Sequence, residues 1–133
     1  IAVHMTADFL KNGQMRAIDL YAPTTLTCLG NDYGYAYVFS KQLEILATPG
    51  DVLVAISSSG NSPNILRAAE AVQAVGGTII TFTGFKSDNC LRAMGHRNLY
   101  VPSMEYGIVE SIHNQILQQV VDEIMALDAQ EGR

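Results

Sequence analysis

Three short runs of β-branched and apolar residues occur in the chain without the polar alternation of a half-wet strand. They are Asp51-Val-Leu-Val-Ala-Ile56, Thr78-Ile-Ile-Thr-Phe-Thr83 and Asn98-Leu-Tyr-Val101. A strand with one face in water alternates, whereas a strand covered on both faces reads as a continuous apolar run. Turn formers bound each of them: Pro49-Gly50 before the first, Gly76-Gly77 and Gly84 around the second, Pro102 after the third. Ala17-Ile-Asp-Leu-Tyr21 is a fourth candidate. Helical windows lie between. Pro63 to Val75 gathers Ile65, Leu66, Ala69, Val72 and Val75 on one side, with Gly76 as a stop. Tyr37 to Leu46 is another window, Ser87 to Met94 a short third, and Gly107 to Leu127 a long last one. Ile1 to Asn12 reads as a helix ended by Gly13. Alternation of this kind means an α/β fold, an open parallel sheet flanked by helices with right-handed crossovers. Ligands of such sheets bind beyond the carboxyl ends of the strands.

The 133 residues point to one domain over 1–133, with 128–133 as a flexible tail. A doubly wound sheet normally places a strand and loop before a helix such as Ile1 to Asn12, so the chain is expected to lack an N-terminal portion. Only 16% of the residues are charged, against ~25% in an average soluble domain. So little charge implies burial beyond a single core, and hence a homo-oligomer. No apolar run approaches the ~20 residues of a membrane span, and the first residues do not resemble a signal peptide. Net charge is −5 without a basic cluster, which disfavours a nucleic-acid partner. Cys28 and Cys90 stand in no metal-spaced motif and read as reduced thiols of a cytoplasmic protein.

The first run leads directly into Ser57-Ser-Ser-Gly-Asn-Ser62, and Pro63 then opens a helix. Ser62 stands where an N-cap is expected and Pro63 where proline is best tolerated. Four hydroxyls, a glycine and the open N–H groups of a helix start make an anion site. Hydroxyls bring no positive charge, which suits a phosphate ester held reversibly. Neither a P-loop nor G-x-G-x-x-G is present, which disfavours a nucleotide-binding domain. A polar loop with a cap serine is the plain alternative.

Val54-Ala-Ile-Ser-Ser-Ser-Gly-Asn-Ser62, the alanine-rich helix after it and Thr81-Phe-Thr-Gly84 resemble the sugar isomerase (SIS) domain family. Gly30-Asn31-Asp32-Tyr33-Gly34 and Phe39-Ser40-Lys41-Gln42 resemble its phosphoheptose isomerase branch. The resemblance implies a Rossmann-like three-layer sandwich of SIS type. It also implies isomerisation of sedoheptulose 7-phosphate or a similar sugar phosphate for surface-polysaccharide (lipopolysaccharide) synthesis. The family carries an N-terminal helix, a first strand and a Gly-Asn-Gly-Gly-Ser loop that do not appear here. By motif, Ser57, Ser58, Ser59 and Ser62 would bind the phosphate, and Asn31 and Asp32 in their turn would contact the sugar. His4 matches a metal-binding histidine. Asp8 stands where the family has a glutamate that is both metal ligand and catalytic base. Glu110 falls where a glutamine binds metal and substrate. Gln118 replaces a second catalytic histidine at a substrate-binding position, and His113 keeps a histidine one turn earlier. The resemblance thus implies zinc held by His4, Asp8 and Glu110, and a tetramer.

Read on its own, the last helix places Leu117, Val121, Ile124, Val120, Val109 and Ile116 in one broad apolar arc at ~100° per residue. Glu110 and His113 fall inside the arc, Gln118 at its edge and Glu123 close by. A carboxylate buried there would have a raised pKa, as suits a general base. Glu110 is therefore the first candidate base, Asp8 the second, with His113 or His4 for the hydroxyl proton. A hydrogen-bonded Glu110–His113 core pair at i and i+3 is the alternative. His4 and Asp8, at i and i+4, share a helix face and can grip a metal or simply pair. His96 reads as solvated surface, and Tyr33, Tyr35 and Tyr37 as interface. Two functions follow: a phosphosugar aldose–ketose isomerase, or a non-catalytic SIS module that senses a phosphosugar or docks on a partner protein.

Overall fold

The computed structural model describes residues 1–132. Its elements are α1 (Ala2–Lys11), α2 (Pro23–Tyr33), a 3-10 turn (Tyr35–Tyr37), α3 (Ser40–Leu46), β1 (Val52–Ser57), α4 (Pro63–Ala74), β2 (Thr78–Thr83), α5 (Cys90–Met94), β3 (Arg97–Tyr100) and α6 (Tyr106–Glu131). The chain divides into two compact units. One comprises Leu20–Val109, the other Ile1–Asp19 with Glu110–Arg133.

The Leu20–Val109 unit holds the sheet. All three expected strands form and pair in parallel in the order β1-β2-β3. The pairing starts Val52 opposite Thr78 and brings Ser57 level with Thr83. Thr78 N–H donates to Asp51 O, and the Asp51 carboxylate receives the N–H and hydroxyl of Thr48, which fixes the entry to β1. The core of this unit is Val38, Phe39, Leu43, Ala55, Ala68, Ala69, Val72, Ile79 and Leu91, all buried. Ala68 and Ala69 are small enough to bring α4 close to the sheet, which is why its apolar stripe runs through alanines. Gly76 follows α4 with φ +78°, the left-handed stop that its position implied.

Four expectations need correction. Ala17 to Tyr21 is not a strand. Ile18 is 68% exposed, so the run meets no apolar layer that would hold it flat. The segment before Tyr33, read as an Asn-Asp turn, is the last part of α2. Pro23 at its first position is the start signal, and β-branched Thr24, Thr25 and Thr27 obscure the helical period. The window at Tyr37 to Leu46 splits into the 3-10 turn and the shorter α3. Asp128 to Glu131, expected within a flexible tail, are the last turn of α6; Arg133 lies outside the described residues.

The second unit is built from α1 and the body of α6. Met5, Leu117 and Val121 are buried there. Asn12 and Gly13 N–H both return to Asp8 O and Met15 N–H to Phe9 O, so α1 ends as expected, but the left-handed residue is Gln14 (φ +47°) rather than Gly13. No helix among the described residues is long and apolar enough to cross a membrane.

Candidate active site

The serine loop leaves β1 at its carboxyl end and closes on the start of α4. Ser57 Oγ and Ser62 Oγ stand 3.3 Å apart, so the two hydroxyls at the loop's ends meet. Gly60 N–H donates to both Ser57 O (3.0 Å) and Ser57 Oγ (3.2 Å), which curls the backbone back on the strand. Asn61 N–H donates to Ser59 Oγ at 3.3 Å. Ser57 and Ser58 are buried, whereas Ser59 and Ser62 are half-buried. Ser62 holds the N-cap position without a side-chain cap bond; its carbonyl takes the N–H groups of Ile65 and Leu66. Its hydroxyl is therefore not committed to the helix, and Pro63 presents no N–H. The result is a cluster of hydroxyl groups beside a helix start, which suits an anionic ester.

Sequence reading missed what holds this loop. Gly60 has φ +64°, and a Cβ there would run into the Asn89 side chain. Asn89 is buried, with its amide donating to Lys86 O (2.9 Å) and Gly84 O (3.4 Å) and its oxygen receiving Arg92 N–H (3.0 Å) as the cap of α5. Leu91 N–H donates to Gly60 O and Cys90 N–H to Asn61 Oδ1, so the start of α5 clasps the loop from the side. Gly84 N–H donates to Ser58 O. Asparagine directly before a short helix was the available signal.

Asn31 and Asp32 are exposed in the last turn of α2, where Asn31 Nδ2 donates to Asp32 Oδ1 at 2.9 Å. Tyr33 and Tyr35 are exposed as an interface reading requires, while Tyr37 lies under the Arg67 guanidinium, 4.7 Å from its ring centre. Lys41 donates to Glu44, and that bond raises the ammonium pKa. His96 is exposed, but it is not merely solvated: its Nδ1 accepts Ile79 N–H and its own N–H donates to Ile79 O.

In the second unit three predicted residues come together. Gln118 Nε2 donates to Asp8 Oδ2 at 2.8 Å, and His4 Nε2 lies 3.2 Å from the same oxygen. Asn12 Nδ2 approaches Asp8 Oδ1 at 3.4 Å. The Asp8 side chain is 19% exposed and that of His4 68%. Glu110 is exposed, so the desolvation inferred from the apolar arc is absent, while His113 is fully buried. The arc was drawn too wide: Val120 is 40% exposed, and only Leu117 and Val121 of its centre are buried in this unit. The His113 imidazole is packed inside this unit.

His4 and Asp8 are the two donors of zinc-binding type that the structure brings together here. A catalytic zinc takes three protein ligands of histidine, cysteine or carboxylate type. His4 and Asp8 supply two, and the Gln118 amide spends its N–H on the carboxylate oxygen nearest the imidazole. Among the described residues, no three His, Cys, Asp or Glu side chains are grouped to hold an ion.

An open parallel sheet with a hydroxyl loop at a strand's carboxyl end defines an α/β domain of SIS type, and the chain belongs to the SIS domain family, whose model matches residues 7–84. Its relatives are phosphoheptose isomerases. That of Aquifex aeolicus is 35% identical over 130 residues, covering 94% of this chain and 68% of the relative. That of Edwardsiella ictaluri is 40% identical over 114 residues, covering 83% and 58%. Among solved structures, phosphoheptose isomerase GmhA from Neisseria gonorrhoeae superposes with a TM-score of 0.85 at 35% identity, over 92% of this chain and 68% of that one. The enzyme from Francisella tularensis gives 0.84 at 30% identity, over 94% and 70%. The chain thus spans from just over half to about two thirds of the length of these relatives.

Proposed function

We propose that the chain is a phosphosugar aldose–ketose isomerase acting on sedoheptulose 7-phosphate or a similar sugar phosphate, a step toward surface polysaccharide, and that it works in the cytoplasm as a homo-oligomer. The observation that carries the reading is the hydroxyl loop between β1 and α4 in a chain 35% identical to a phosphoheptose isomerase over 94% of its length. Ser59 and Ser62 supply half-buried hydroxyls to the phosphate oxygens, and Ser57 sets the loop's curvature. Aldose–ketose isomerisation moves a proton between C1 and C2 through an enediol, so one group must take that proton and return it. Asp8 replaces Glu110 as the base: its carboxylate is oriented by neighbours and partly sheltered, whereas Glu110 is a surface side chain. His4, 3.2 Å from Asp8, is placed to handle the hydroxyl proton. No step is assigned to zinc.

Exposed Val120, Met125 and Leu127 on α6 support assembly of copies, since that helix carries more apolar surface than one chain covers. Incubation of the full chain with sedoheptulose 7-phosphate tests the activity: appearance of the aldose phosphate is expected. The amide at Gln118 gives the alternative, a non-catalytic phosphosugar sensor, its specific motive. Intact sugar-phosphate binding without any isomerisation would select it.

A further inference from the structure

Asp8 and Gln118 are 110 residues apart in sequence, and their contact is among the shortest side-chain hydrogen bonds in the unit formed by α1 and α6. Asp8 Oδ2 receives Gln118 Nε2 and faces His4 Nε2, while Oδ1 receives only a long 3.4 Å bond from Asn12 Nδ2. Against a carboxylate the Gln118 amide has one favourable orientation, N–H inward, because its oxygen would oppose a second acceptor. The same nitrogen lies 3.3 Å from Met5 Sδ, and Met5 is buried, so the amide is held from beneath as well as in front.

The carboxylate is thus fixed at one oxygen and loosely held at the other. A base that must take a proton from carbon and return it to the adjacent carbon gains from such an arrangement, because the reactive oxygen does not have to be positioned during the step. We propose that Gln118 is a positioning residue: it anchors Asp8 Oδ2 by a direct amide hydrogen bond and leaves Oδ1 to exchange the substrate proton. This rests on Asp8 being the base of the isomerase proposed above. The proton leaves C1 of the ketose for Asp8 Oδ1, the C–H electron pair forms the C1–C2 double bond, and the C2 carbonyl π pair moves to its oxygen, which is protonated through His4; the Asp8 proton then returns to C2 on the double-bond pair while the C1 hydroxyl gives its proton back to His4 and becomes the new carbonyl. The balance needs no oxidant, reductant or metal.

The test is Gln118→Met, which keeps the length and the packing on Met5 and removes the donor. With sedoheptulose 7-phosphate and a chelator present throughout, kcat should fall at least tenfold while KM stays within twofold and the melting temperature within about 3 °C. Gln118→Glu, which sets a second carboxylate against the first, should be worse. Unchanged kcat in Gln118→Met overturns the proposal, as does wild-type activity that the chelator abolishes. A wild-type chain that isomerises nothing refutes the proposed function instead. The contact is then decided alone by thermal unfolding of Asp8→Ala, Gln118→Ala and the double variant: the proposal requires the two losses to be non-additive, and additive losses overturn it.

Discussion

Replacing Gly60 by alanine should damage the fold and the anion site together. At φ +64° an alanine gives up about 1 kcal/mol to left-handed strain. The larger effect is steric. The new methyl would occupy the place of Asn89 Oδ1 and Cγ and come within 2.8 Å of Asn89 Cβ. Asn89 cannot yield cheaply, because it is 3% exposed and its side chain serves Gly84 O, Lys86 O and Arg92 N–H. Displacing it strips buried polar groups of partners at about 1–3 kcal/mol for each left unsatisfied. A total of about 3–5 kcal/mol follows, which at about 3–5 °C per kcal/mol for a chain of this size lowers the melting temperature by roughly 10–20 °C. Circular dichroism melts of the full chain read the loss. Trimming Asn89 to alanine in the same chain removes the two nearest atoms and leaves only the Cβ approach, so the double variant should lose less than the two single losses together. Gly60→Ala melting within 2 °C of wild type would refute the reasoning, because it would mean that the loop relaxes freely and that Asn89 does not shape it.

The double change Ser59→Ala, Ser62→Ala should weaken binding of a sugar phosphate at least tenfold by calorimetry with little change in melting, since neither hydroxyl caps α4; unchanged affinity would remove the site from this loop. Glu110→Gln should melt within about 2 °C of wild type, as an exposed substitution does, whereas a core role would cost several degrees. Ala69→Leu should destabilise by about 1–3 kcal/mol in urea titration, because Ala69 is fully buried where α4 meets its core and the extra atoms have no space. Light scattering of the full chain should give an oligomer at micromolar concentration, and monomer alone would refute assembly through α6.

The sheet was legible because its signal is local and redundant. Val52 to Ile56 and Thr78 to Thr83 are continuous apolar runs between turn formers, and parallel pairing under helices is the arrangement in which such runs can be dry on both sides. Where local signals conflicted, the reading failed. In α2, three threonines resemble a strand or a loop, and Asn31-Asp32 before a glycine resembles a turn, yet Pro23 starts a helix and Gly34 at φ +86° ends it. Ala17 to Tyr21 failed for the reverse reason: it has the composition of a strand and no neighbour in the sheet to pair with.

The candidate site divides the same way. Ser57 to Ser62 could be read because loop, strand end and helix start are consecutive, so chemistry and geometry sit in one stretch of sequence. Glu110 and His113 were read from helical period alone. Period fixes the angle between two side chains on one helix, but the edge of the buried stripe depends on what packs against it. A shift of that edge by less than the 60° between these two residues leaves one in water and the other dry, given ~100° per residue. That shift is also why the proposed base is Asp8 rather than Glu110. The His4–Asp8 spacing was visible within α1, but the amide that completes the group comes from α6, 110 residues away. Nothing in either helix's own pattern specifies that pairing. A glutamine at the edge of an apolar arc reads as a surface residue until a carboxylate is seen in front of it. Once it is, a buried-edge amide with its N–H on a carboxylate is costly to misplace, because breaking the bond leaves the charge without its donor. The glutamine that looks like the loss of a catalytic group in sequence is, in the structure, a donor to the Asp8 carboxylate, the proposed base.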